Sequence, residues 1–281
     1  MIQKNKTLFF VVLTVLIVAF ISLTIFFIDR SKEQENQRRI QEIEMMRMRE
    51  WNQNNNIQDI EFNKVGSEQR QKLSTNEPDI VLHNLGISSF SDVDVTTNAL
   101  REYDSKGLKG FYVFGDRLSG NRLNPNFEYS SLKPNTQIIS AIDGIVAFIK
   151  DQNEYGEPDH EIIIKPKEDS IWTVAYDHIA NVAVKRGDAV KVGQFLGNPS
   201  RQNNGLYRFE IQVNKDDDNQ TTHICPAILL DKSIQENQLK ELSDMLNSWN
   251  TISGKKLYDT SLQNPVGCLT QTLTTSQTEG K

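Results

Sequence analysis

Hydrophobic and polar positions follow different periods in successive parts of this 281-residue chain, and the changes of period mark its elements. From Leu8 to Ile28 the pattern is one apolar run without a charged residue. A bilayer core needs about 20 such residues, so the run predicts a transmembrane helix over 8–28 behind a short basic N-terminus, 1–7. The run is too long for a cleaved signal peptide, and Ile28-Asp-Arg30 offers no small-residue cleavage site. Between Ser31 and Trp51 charged residues mix with Ile40, Ile43, Met46 and Met48 in no clean heptad, which predicts a solvated helical stalk. Asn52 to Asn76 is polar and rich in Asn and Gln, so stalk and linker together fill 29–75.

From Asp79 onward the pattern becomes β-type. Asp79–Leu82 and Phe111–Phe114 read as strands, with a short helix between Ser91 and Tyr103. Ile138–Phe148 reads as two strands around an Asp143-Gly144 turn. Glu161–Ile164, Ile171–Tyr176 and Tyr207–Val213 are rich in β-branched and aromatic residues, and Arg186-Gly-Asp188 and Gly193 punctuate two shorter strands. A helical period returns only at Ser233–Trp249, where Ile234, Leu239, Leu242, Met245, Leu246 and Trp249 share one face suited to packing. The prediction is a mainly β domain over 76–232, then an amphipathic helix and a Thr/Ser/Gln-rich tail over 233–281.

Composition changes this picture little. Charged residues make up 24% and the net charge is −6, which argues against a nucleic-acid binder. The two cysteines, Cys225 and Cys268, flank the C-terminal helix. In an exported protein an even count suggests a disulfide tying that helix to the β-domain; two unbridged thiols are the alternative, and the spacing is not that of a zinc site. In the acidic stretch Asp151–Asp159, Asp151, Glu154, Glu157 and Asp159 offer oxygen ligands for calcium, but the spacing matches no EF-hand and the stretch reads as a solvated turn.

Four pieces in order, Lys133–Val146, Ala175–Ile179, Val184–Gln194 and Arg208–Ile211, resemble the lysostaphin-type (M23, LytM-like) metallopeptidase domain. That resemblance implies a duplicated hybrid β-fold of sandwich or barrel-like form. It also implies a zinc ion held by a His-x-x-x-Asp pair and by the second His of a His-x-His, with two further histidines in catalysis. Here the first motif position reads Asn124-Pro-Asn-Phe-Glu128 and the second reads Leu206-Tyr-Arg208. Asn is a poor zinc donor, Leu206 has no donor, and a permanent cation at Arg208 repels a metal. His178 alone keeps a functional residue, one that the family uses in catalysis and not as a ligand.

The resemblance and its departures set the functional expectations. No zinc or other cofactor is expected, and Glu128, His178 and Arg208 are expected to serve binding. An opposite-charge pair between Glu128 and Arg208 would replace the metal. The chain is then a single-pass membrane protein, N-terminus cytoplasmic and main domain extracytoplasmic. It would act as scaffold, regulator or binding module for peptidoglycan or a partner membrane protein. Two other readings stay open. One is a metal-dependent hydrolase, a peptidoglycan endopeptidase with a non-standard site around Glu128, Asp177, His178 and Glu210. The other is a periplasmic adaptor of a transport or secretion complex, suggested by the likeness of Val184–Gly197 to biotinyl and lipoyl half-motifs.

Overall fold

The structure, a computed structural model, describes residues 77–104, 109–152, 157–217 and 220–279. The expected N-terminal segment, transmembrane helix and stalk lie outside the described residues. Among those described, no helix is long and apolar enough to cross a membrane.

A 3-10 turn at Phe90–Asp92, capped by the Ser89 hydroxyl, and helix α1 (Thr97–Asp104) precede the strands. There follow β1 (Phe111–Tyr112), β2 (Phe127–Leu132), β3 (Ile138–Ile139), β4 (Gly144–Asp151), β5 (His160–Lys165) and β6 (Trp172–Ala180). The chain continues through β7 (Ala189–Val190), β8 (Phe195–Arg201), β9 (Tyr207–Asp217) and β10 (Gln220–Ile224) to helix α2 (Lys232–Ser253). It closes with β11 (Thr272–Thr274) and the one-turn helix α3 (Thr275–Glu279).

The mainly β expectation holds, but the strands join into one 11-stranded antiparallel sheet and not two separately bonded layers. The reason is β9. At 11 residues it is long enough to pair with β2 and β6 along its two edges, with β8 at its start and with β10 at its end. Asp79–Leu82 does not become a strand: only Leu82 bridges, to Leu230, its N–H donating to Leu229 O at 2.8 Å.

Alternation along the strands fills the core. Trp172, Val174 and Tyr176 of β6 and Phe209, Ile211 and Val213 of β9 are all buried. Phe111 meets Tyr129 edge-on with centroids 4.9 Å apart, and Tyr129 stacks on Phe209 at 5.8 Å. The hydroxyls stay satisfied: Tyr129 donates to Leu85 O, and Tyr176 accepts from the Ala141 N–H.

Helix α2 starts at Asp231, whose side chain accepts from Ser233 N, and stops at Gly254, which takes the left-handed conformation. It buries Leu242, Met245, Leu246 and Trp249. The Trp249 ring lies 2.2 Å from where a Cβ on Gly110 would stand, so only glycine fits there. Cys225 and Cys268 are joined in a disulfide with Cα atoms 6.0 Å apart, closing a loop of 43 residues that contains α2. The bonded segment also pairs with the sheet, Phe114 N donating to Gly267 O and Leu269 N to Phe114 O.

Two outcomes follow from this packing. Leu242→Ala should cost about 2–5 kcal/mol in denaturant unfolding, because the vacated volume lies between helix and sheet. Replacing both Cys225 and Cys268 by Ser should cost about 4 kcal/mol on the chain-entropy view of a loop this long, read from the midpoint and slope of the same curves.

Candidate functional site

The site is built on a β-bulge. On β5 and β6, His160 pairs with Ile179 and Ile162 with Tyr176, so Glu161 alone faces both Asp177 and His178. Regular alternation would send those two side chains to opposite faces. His178 instead takes φ 61°, a left-handed conformation that is costly for a non-glycine residue and that turns its ring toward the Asp177 carboxylate. The other members come from strand register. Glu210 on β9 is directly opposite Glu128 of β2 on one side and Asp177 of β6 on the other. Arg208 is two residues from Glu210 and shares its face.

His178 is held from both ends. Its Nδ1 lies 2.8 Å from Asp159 Oδ2, and Ser200 Oγ donates to the other Asp159 oxygen at 3.1 Å. Arg208 Nη2 is 3.1 Å from the same Nδ1. Two donors cannot share that contact, so the anion decides it: Nδ1–H donates to Asp159, and the guanidinium lies alongside. On the other end, Nε2 lies 3.5 Å from Glu210 Oε1 and 3.7 Å from Asp177 Oδ2.

Five carboxylates therefore share this region: Glu128, Asp159, Glu161, Asp177 and Glu210. Burial pushes Glu128 up to about 7, and the adjacent Glu210 charge adds to the push. Glu161 is also raised to about 7, first by burial and then by Asp177. Asp177 moves upward mainly through burial. For Glu210 burial again acts upward, but His178, Arg208 and the Asn126 amide outweigh it and hold the carboxyl below its ordinary range. Burial pulls His178 down, yet Asp159, Glu210 and Asp177 together push it up to about 10. The geometry is an imidazolium and a guanidinium among partly protonated acids.

The structure brings Glu128, His178 and Arg208 together, with Asp177 and Glu210 between them. Arg208 lowers the Glu128 pKa by its charge, while its side chain contacts His178. Asn124 lies apart in role: it is buried, and its Nδ2 donates to Asn126 O at 2.9 Å and Val113 O at 3.2 Å. Leu206 is half-buried and packs against the core. Of the three positions where the resemblance places zinc ligands, Asn124 is an amide committed to backbone carbonyls and Arg208 a guanidinium, so Glu128 alone is an ordinary donor; Leu206 stands at a catalytic position. Three residues of the site were not linked to it by the sequence reading. Asp159 was part of an acidic turn, Glu161 one position in a strand, and Asn126 a neighbour inside the Asn124–Glu128 motif. Asn126 donates to Glu210 through its amide.

A pH dependence follows from the directions. The folded-state values of Glu128 and Glu161 are raised, so their stabilising effect is complete below the ordinary glutamate value of 4.5 and is lost as pH rises through about 7. His178 contributes fully below its ordinary value of 6.5, and that contribution is lost as pH rises from there through about 10. In chelator-treated protein, stability should fall between pH 4.5 and 7, and Glu128→Gln should flatten part of that fall in denaturant titrations at several pH values.

Residues 129–220, about a third of the chain, match Peptidase family M23. No curated protein sequence matches the chain. Among solved structures, the catalytic domain of the prophage-encoded M23 protein EnpA from Enterococcus faecalis is 21% identical, with a TM-score of 0.32 over 41% of this chain and 88% of that one. The catalytic domain of lysostaphin from Staphylococcus simulans is 18% identical, with a TM-score of 0.30 over 39% and 79%. The chain spans 51% of the lysostaphin chain in its solution structure. The SpoIIQ–SpoIIIAH pore forming complex matches at 16% identity and a TM-score of 0.36, over 56% of this chain and 94% of that one. At these identities nothing about activity transfers. The stretch 129–220 is thus similar to peptidase family M23.

Proposed function

We propose that this chain is a membrane-anchored, extracytoplasmic M23-type module that does not hydrolyse peptide bonds and acts as a scaffold or binding domain. Its occupant is the cell wall or a partner membrane protein. The observation that carries this reading is Arg208. A permanent cation stands where the family places its third zinc ligand, and it lies against His178, the family's catalytic base or oxyanion partner. Asn124 supports the same reading, because its amide is spent on the backbone. The apolar run Leu8–Ile28 supports the anchor, with the N-terminus cytoplasmic. Zinc at the family's position has no place in this function.

The full chain, incubated with purified peptidoglycan sacculi with and without added Zn2+, should release no more peptide or amine than a buffer control. Release that is abolished by chelation would overturn the proposal. Co-sedimentation with the same sacculi then separates the two docking classes: retention identifies the wall as the occupant, and its absence a membrane partner.

A further inference from the structure

Strand β4 is covered on its outer edge for only part of its length. It spans Gly144–Asp151, yet β7 pairs with it at Gly144 and Ile145 alone. The turn before β7 covers one residue more: Val146 N–H donates to Asp188 O at 2.9 Å, and Gly187 N–H to Val146 O at 2.8 Å. From Ala147 to Asp151 no strand among the described residues lies on that side. We infer that this open edge takes up an extended segment of a partner polypeptide as an added strand, in which acidic residues alternate with apolar ones. β4 carries none of Asn124, Glu128, His178, Leu206 and Arg208, so the inference goes beyond the proposed function.

Backbone geometry is the first support. Register with β5 runs without a shift from Phe148 to Asp151, and Gln152 N–H donates to Asp159 O at 2.8 Å on the β5 side. In an antiparallel ladder, alternate residues turn their N–H and C=O groups to opposite edges. Counting back from Gln152, Lys150 and Phe148 bond to β5, while Ile149 and Asp151 point both groups outward. No described backbone group bonds those four. Two such residues, spaced two apart on a sheet edge, are the template that strand addition uses. The bulge at Ala147 ends the template on one side, and the bulge and the Lys150 charge guard the edge against indiscriminate pairing.

Side chains choose the occupant. Ile149 packs against the core but is only half-buried, so an apolar residue beside it closes that flank of the core. On the other face Lys150 lies opposite Glu161, and the turn bonded to Val146 exposes Lys185 and Arg186. In that turn the Asp188 carboxylate accepts the Lys185 N–H at 3.0 Å, and Asp151 is the exposed anion at the far end. In a chain of net charge −6, an edge bordered by Lys150, Lys185 and Arg186 favours an acidic segment. A second copy of β4 fits less well. Symmetric pairing about Lys150 or Asp151 sets like charges opposite each other, and pairing about Ile149 brings each copy's 185–188 turn against the end of the other's strand. A single extended chain meets one such turn.

The test is amide hydrogen exchange of the full-length chain, resolved to single residues, with and without the probe peptide acetyl-(Glu-Val)4-amide. In the free chain the Ile149 and Asp151 amides should exchange at least about 10-fold faster than those of Phe148 and Lys150. Saturating peptide should slow Ile149 and Asp151 at least about 10-fold and leave the other two unchanged. Asp151→Pro should fold, since proline is tolerated where the N–H faces solvent, and should weaken peptide binding at least about 10-fold. Replacing Glu by Lys in the probe should weaken binding at least about threefold. Where Asp151→Pro fails to fold, the wild type decides with a probe N-methylated throughout, which should not bind. Ile149 and Asp151 amides already protected in the free monomer, or a probe that does not bind saturably, overturn the inference. Protection that grows with protein concentration and needs no peptide assigns the edge to a second copy and overturns it too. Each of these outcomes leaves the sacculus assay, and with it the proposed function, untouched.

Discussion

Compensation of buried charge is the constraint around which this domain is arranged. Carboxylates from β2, β5, β6, β9 and the turn before β5 meet on neighbouring strands, and each must find a proton, a cation or a donor. Glu128 and Glu161 take protons, Glu210 takes Asn126 and His178, and Asp159 takes Ser200 and His178. A single apolar substitution among them would leave a charged neighbour without a partner, the costlier situation in a buried network. The cation at Arg208 stands among acids that need one.

The sheet makes that concentration possible. Because β9 is long and central, Glu210 touches both Glu128 and Asp177 by register alone. The hydrophobic side of the same strands, Phe209, Ile211 and Tyr176 among them, locks the register, since a one-residue slip would drive the acids into the core. The C-terminal helix works from further away. Through Trp249 against Gly110 and the Cys225–Cys268 bond, it holds the chain on either side of β1 and β10, the neighbours of β2 and β9.

The domain similar to peptidase family M23 thus carries a dense set of buried polar groups around its motif positions. Its polar site sets an imidazole and a guanidinium among five carboxylates. Arg208 is a permanent cation at one motif position, while His178 keeps the family's residue type on a left-handed backbone.

Much of the fold was legible in the sequence because short-range chemistry sets it. Alternating β-branched and aromatic residues give β4, β5, β6 and β9, and the 3.6-residue period of Leu242, Met245, Leu246 and Trp249 gives α2. Motif spacing also placed Glu128, His178 and Arg208 in one region, and named Asp177 and Glu210 beside them. The bulge was not legible, since nothing local in Tyr176-Asp177-His178 announces an extra residue; it exists because β5 and β6 are held in register on both sides of it. Asp159 and Asn126 were likewise hidden. One is 19 residues from its His178 partner and the other 84 from Glu210, and only tertiary structure brings such distant polar groups within hydrogen-bond reach.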